Sequence, residues 1–415
     1  MKKNYFSKVK LLKNLFLTIS VVSAAALVMS FGPLFFGPGL TTPEPFTQFS
    51  NNNFPGIGAV QNPYQPAYPN VFFDSPITFT LVPNQDKIII GQLDGKVFYI
   101  DDDPTVAVKH PIVDLSAEVG DYTNGEVWDG GFLGLSIHPE FGITPGKNYF
   151  FIYYTTAEPN NTLGTNQPFS CDLENFAGNY LKLERFQVDP VTMQFVAGSR
   201  ETMINREMYN TTHRGGGMDF GEDGFLYLST GDQASYTSAQ EIDNNLDGGV
   251  LRIDVDMLGA PYSHAPRRVL QDPGVGNTHA DSEGLETSGN FYYIPETNPF
   301  NDINGSVFEE YFTIGHRNPH RMTKDVDTGI FYIGEIGEGY HEEINIVSSG
   351  KNYGWPLFEG MGPGPDPDCV TELYNNMPHE EPLMEFPRVE ANALIGGYVY
   401  RGNDIPSLEG KYICA

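Results

Sequence analysis

The chain has 415 residues, enough to bury a full core without disulfides or a structural metal. Hydrophobic residues make up 40% and charged residues 19%, which excludes a disordered chain and a coiled coil. Against 24 Lys and Arg stand 53 Asp and Glu, a net charge of −29, so phosphate backbones repel the protein and a nucleic-acid partner is excluded.

The first element is an N-terminal apolar run over residues 15–29, preceded by Lys2, Lys3, Lys8, Lys10 and Lys13 and containing Ala24-Ala25-Ala26 as a small-residue cleavage site. It reads as an export signal, or as a membrane anchor where the apolar character through Phe31, Leu34, Phe35 and Phe36 is retained. Residues 1–37 are therefore set aside as signal or anchor, and 38–70 as a Pro- and Asn-rich linker. The body, 71–415, is expected outside the cytoplasm, periplasmic or extracellular, with a tether only through that first segment. Cys171, Cys369 and Cys414 allow at most one disulfide, and their positions do not choose the pair.

From residue 71 onward, apolar runs of four to eight residues alternate with Gly, Asp, Asn and Pro: ITFTLV, KIIIGQ, KVFYID, YFFIYYTT, FLYLST, VLRIDVD, IFYIGEI and YVYRG. These are strand signals, rich in β-branched and aromatic residues. A polar turn, a Gly and an alternating strand recur in LDGKVFYIDDD, GEDGFLYLSTGD and DVDTGIFYIGEIGE. Such recurrence predicts an all-β fold, a β-propeller, although a sandwich or jelly roll has similar strands. Residues 159–180 and 259–290 read as insertions between strands.

Three segments carry chemistry. In 212–232, His213 precedes Gly215, Gly216 and Gly217, which allow a ligand or another backbone to approach closely; an imidazole there can act as a general base. No Lys-Ser/Thr follows, so this is not a phosphate loop. In 313–347, Arg317-Asn318-Pro319 offers a permanent cation for an anionic ligand. The same segment crowds Glu335, Glu338, Glu342 and Glu343 among glycines, oxygen donors that suit calcium or form a solvated acidic loop. The third, 350–360, is a tight turn into a packed strand.

Taken in order, 130–142, 213–232, 248–256, 292–300, 314–347, 351–356 and 395–402 resemble the glucose/sorbosone dehydrogenase family, the soluble quinoprotein aldose sugar dehydrogenases. The resemblance covers 70–415 and implies a six-bladed β-propeller, truncated in its last blade where this chain stops. It implies pyrroloquinoline quinone (PQQ) and Ca2+ as cofactors, an aldose as substrate, an external electron acceptor, and oxidation at the anomeric carbon to a lactone with hydride passing to the quinone. His213 matches the family's base, and Arg317 and Asn318 match residues on the cofactor. Arg317 also offsets the charge of the reduced quinone. Asp129 and Arg401 fall where side chains face the cofactor. Gly337 and Glu338 match positions whose carbonyls bind the active-site calcium, and Glu343 and Tyr353 lie at a second calcium site. An amide stands at position 129 in glucose-oxidising members, so the resemblance does not extend to glucose.

Two other classes fit the same strands. A non-catalytic exported propeller binding glycans or proteins needs neither His213 nor Arg317-Asn318. A calcium-dependent lactonase needs channel-facing acids and no quinone. The presence of His213, Arg317 and Asn318 favours the dehydrogenase.

Overall fold

The structure, a computed structural model, describes residues 66–120, 129–157, 179–208, 210, 212–243, 246–267, 291–365 and 368–415. The export segment and most of the linker lie outside these residues, as do 158–178 and 268–290, most of the two expected insertions. Among the described residues the chain is all-β, with only short 3-10 turns besides strands, and no helix is long and apolar enough to cross a membrane.

Four larger sheets follow one another along the chain. The first holds β1 (Pro76–Leu81), β2 (Lys87–Gln92), β3 (Lys96–Asp101) and β4 (His110–Asp114), each antiparallel to the next. The second holds β5 (Phe132–Ile137), β6 (Tyr149–Ala157), β7 (Asn179–Gln187) and β8 (Glu201–Glu207) in the same way. The third runs from β9 (Met218–Phe220) through β10 (Leu226–Thr230), β11 (Gly249–Ile253) and β14 (Tyr311–Ile314), where β18 (Lys351–Asn352) pairs in parallel. Two small ribbons, β12 (Ser263–His264) with β13 (Ile294–Pro295) and β19 (Phe358–Glu359) with β20 (Gly362–Pro363), hang from the loops. The fourth sheet holds β15 (Pro319–Lys324), β16 (Phe331–Glu335), β17 (His341–Ile346) and β21 (Met384–Pro387), and a further pair joins β22 (Gly397–Val399) to β23 (Tyr412–Cys414).

The first strands of successive sheets meet: β1 touches β5, β5 touches β9, β9 touches β15, and β15 touches β22. Each sheet is thus a blade packed face to face on its neighbours in a propeller arrangement. The sequence explains why. β5 (FLGLSI), β10 (LYLST), β11 (GVLRI) and β16 (FYIGE) are buried at every position, as strands covered on both faces must be. One core, with Leu133, Phe151, Met218, Leu228 and Tyr311, fills the space between the second and third blades. Another, with Ile89, Phe132, Phe150 and Phe186, lies between the first and second. Tyr68, at the end of the expected linker, packs on Ile88 and Ile90 and donates to Asp102 Oδ1 at 2.7 Å. Of the cysteines, Cys369 is disulfide-bonded and Cys414 is free.

Two features brace the inner strands. A Cβ on Gly217 would lie 2.2 Å from Met322 N, and one on Gly134 would lie 2.4 Å from Gly216 O, so the glycines after His213 admit neighbouring backbones. Arg321, on β15, reaches Leu133 O at 3.0 Å and Ile77 O at 3.3 Å, carbonyls on β5 and β1. Burial lowers the pKa of its guanidinium, yet arginine stays charged and the carbonyls solvate it.

Replacing Arg321 by Ala would strand two carbonyls beside a void. The expected loss is about 2–4 kcal/mol of stability, read as a lower denaturant midpoint at unchanged slope. An unchanged midpoint would contradict the bracing role.

Candidate active site

His213 lies in the loop between β8 and β9 with φ +58°, a left-handed conformation uncommon outside glycine. Two contacts hold it there. Its N–H donates to Asp129 Oδ2 at 2.7 Å, and its carbonyl accepts Gln233 N–H at 3.3 Å. The imidazole Nδ1 is 2.7 Å from Asp232 Oδ1, and both residues are buried. A carboxylate there makes Nδ1 the protonated nitrogen and places the basic lone pair on Nε2.

Asp232 follows β10 and Gly231. Its Oδ1 also accepts Ala234 N–H at 2.7 Å, its Oδ2 accepts the Trp355 indole N–H at 2.7 Å, and its own N–H donates to Arg317 O at 2.8 Å. One buried aspartate therefore joins the His213 loop and the Trp355 turn through its carboxylate and the Arg317 loop through its amide. The guanidinium of Arg317 lies 5.3 Å from the Trp355 ring centre and donates to Ile336 O at 2.9 Å. Tyr236 packs on the other ring contact of Trp355, centroids 5.9 Å apart, and its hydroxyl donates to the Glu338 carboxylate at 3.2 Å. Burial raises the pKa of the Glu338 carboxyl.

A second carboxylate fixes the Arg317 loop. Glu335 Oε1 accepts the N–H groups of Arg317 at 2.8 Å and Asn318 at 2.7 Å, and Oε2 is 2.7 Å from His316 Nδ1. Asn318 then accepts Gly215 N–H on its Oδ1 at 3.2 Å and approaches Asp129 Oδ2 at 3.4 Å. His320 sits near Asp129 and Gly215; burial, with Arg321 beside it, pushes its pKa down to about 4 and keeps it neutral.

A third carboxylate organises the loop with Gly337 and Glu338. Glu359 Oε1 accepts four consecutive N–H groups, from Glu338, Gly339, Tyr340 and His341, at 2.8–3.0 Å. In a trans peptide each C=O runs opposite to the following N–H. The carbonyls of Gly337 and Glu338 thus point away from Glu359, and Gly337 O is 3.5 Å from the Arg388 guanidinium.

The structure therefore brings His213, Asp129, Arg317 and Asn318 together, with Glu338 at the rim through Tyr236. It does not bring Arg401 there. That guanidinium is held by Asp325, with Nε–Oδ1 at 2.8 Å, beyond the far end of β15, about 20 Å of strand from Asn318. Glu343 is buried in the fourth blade, accepting Gly360 N–H and Asn345 Nδ2–H, and its carboxyl is pushed up to about 8 by burial and by the Glu335 carboxylate. The Tyr353 hydroxyl is used by Ile346 O and Ser348 N–H, and its ring stacks on His316 at 4.5 Å. Among the described residues no three His, Cys, Asp or Glu side chains form a metal cluster. Two buried oxygens near Glu343, Asn345 Oδ1 and Glu359 Oε2, lack a donor, and they fit a cation bound in part by amide or backbone oxygen. The Trp355–Arg317 pair fits a flat anionic ring system.

Asp232 closes the segment 213–232 and Trp355 lies in 351–356, but neither their spacing nor their type assigns them a partner. An acid directly after a buried strand and a glycine was the available sign.

Residues 73–267 and 286–415 match the family described as Glucose / Sorbosone dehydrogenase. A relative, HIPL2 protein of Arabidopsis thaliana, is 31% identical over 224 residues, 50% of this chain and 28% of its own length. Quinoprotein glucose dehydrogenase B of Acinetobacter calcoaceticus is 26% identical over 250 residues, 59% of this chain and 43% of its own. The chain thus spans less than half of either protein. The crystal structure of the soluble aldose sugar dehydrogenase from Escherichia coli, in its apo-form, superposes with a TM-score of 0.52 at 19% identity, covering 81% of this chain and 78% of that one; the likeness is one of fold.

Glu335→Ala should free the 316–318 loop. We expect faster hydrogen exchange at the Arg317 and Asn318 amides and a stability loss of about 2–4 kcal/mol, with Glu335→Gln retaining most protection. Unchanged exchange in the alanine variant would show that the loop is held elsewhere.

Proposed function

We propose that this chain, which belongs to the glucose/sorbosone dehydrogenase family, is an exported enzyme that oxidises an aldose sugar at the anomeric carbon to its lactone, using PQQ and calcium. The observation that carries the reading is the buried His213–Asp232 pair, whose carboxylate is also bonded to the indole under Arg317. A six-bladed ring is part of this reading, as is an external electron acceptor.

His213 Nε2 is the base for the anomeric hydroxyl proton. Asp232 holds Nδ1–H and stabilises the imidazolium that forms. Arg317 and Asn318, pinned by Glu335, keep a fixed cation and an amide beside that base, while Trp355 and Tyr236, their rings tilted by 41°, provide an aromatic wall. PQQ, when bound, supplies the two-electron acceptor, and calcium a Lewis acid for it. Arg317, Asn318 and Trp355 would hold the quinone. Calcium would draw on the Gly337 and Glu338 carbonyls once Arg388 gives way, and a second ion on Glu343 and the main chain of Tyr353, with the orphan oxygens of Asn345 and Glu359 in support. Export is supported by the apolar run behind the N-terminal lysines and by the disulfide at Cys369.

Purified chain given PQQ and calcium should show quinone absorbance bleached by at least one aldose. A chain that binds no quinone would instead be a non-catalytic propeller. His213→Ala should cut the bleaching rate on the order of 100-fold or more with quinone binding retained, and Asp232→Asn should approach that loss through the wrong tautomer. Full activity in either variant would remove its role. Chelation should abolish turnover and added calcium restore it; indifference to exhaustive chelation would sink the metal assignment.

A further inference from the structure

A cleft of about 590 Å³ opens on the third blade, away from His213, between the 299–307 loop, the turn at Gly350 and the 3-10 turn Tyr374–Asn376. That size falls in the range of small-molecule sites, about 300–1,000 Å³. Phe300 and Tyr374 meet in it edge to face, centroids 6.3 Å apart, and Val307 and Met377 extend the apolar wall. Among the described residues the polar lining is Asn301, Asp302, Ser306 and Asn375, with no Lys, Arg or His. An anionic ligand finds no counter-charge here. A cation finds little either, because the Asp302 carboxylate is occupied by its own turn: Oδ1 accepts Asn304 N–H at 2.9 Å and Asn304 Nδ2–H at 3.3 Å, and Oδ2 accepts Ser306 N–H at 2.8 Å and its hydroxyl.

The chemistry left is an aromatic corner with neutral amides and a hydroxyl. It suits a ligand with one apolar face and a rim of hydroxyls. We propose that this cleft binds a neutral oligosaccharide, one pyranose packing its C–H face on Tyr374 and Phe300. The cleft is wired to the candidate active site by Gln240. Its Oε1 accepts Tyr374 N–H at 2.8 Å, and its Nε2 donates to Trp355 O at 2.6 Å and Asn352 Oδ1 at 3.1 Å. A ligand that shifts the 374–376 turn therefore reaches Trp355 through one buried amide.

The chain has two tryptophans, Trp128 and Trp355, so Trp128→Phe leaves Trp355 as the sole indole reporter. Maltotriose and cellotriose are titrated into this variant, full-length and without quinone, followed by Trp355 fluorescence and saturation-transfer NMR. Saturable binding of at least one is expected, weakened tenfold or more by Phe300→Ala and by Tyr374→Ala and retained by Tyr374→Phe. Val307→Trp, which fills the cleft, should block it in a folded protein. No saturable binding of either trisaccharide overturns the proposal, as does binding that survives both alanine variants and Val307→Trp. Because no quinone is present, failure here is separate from failure of the dehydrogenase reading, which the bleaching assay judges alone.

Discussion

The Asp232 carboxylate accepts an imidazole N–H, an indole N–H and a backbone N–H, while the residue's own amide reaches the Arg317 carbonyl. A buried carboxylate is tolerable only when donors surround it, and this one draws on side chains and main chain at once. His213, Trp355 and Arg317 come from three separate loops, and Asp232 touches all three. The site is assembled around an anion whose solvation the protein itself supplies.

The same device recurs at Glu335 and Glu359. Each accepts consecutive backbone N–H groups from one loop, Glu335 from the loop that enters the fourth blade and Glu359 from the loop between β16 and β17. Loops with many glycines have much conformational freedom to lose. A carboxylate that gathers two to four amides replaces the regular hydrogen bonding such loops lack. This is also a reason for the acidic excess: part of it is internal scaffolding, invisible in a net charge.

The strands were legible because burial on both faces leaves runs such as KIIIGQ and FLYLST, and β2 and β10 fall on those runs. The propeller was legible only in the recurrence of polar turn, Gly and strand, because the strands of a sandwich or jelly roll look alike one by one. His213, Arg317 and Asn318 were readable as a group only through the resemblance; their types alone fit many loops. Asp232, Glu335 and Glu359 were not readable as anchors, because an acid in a glycine-rich loop has the same sequence signature whether it binds a metal, water or four backbone amides. Arg401 shows the converse. A cation in the expected segment is drawn to the nearest acid, Asp325, at the other end of β15. The cleft near Tyr374 left no trace in sequence, as its walls come from segments about 70 residues apart.

The left-handed backbone at His213 bears on how this scaffold can change over generations. Asn, Gly and His adopt that conformation at low cost, whereas a β-branched residue does not. An Asn or Gly replacement there would keep the loop, the Asp129 bond and the blades while deleting the imidazole. Loss of the base is therefore a single conformationally easy step that leaves the propeller intact, and lineages of folded but chemically silent descendants are readily reached from an ancestor built this way.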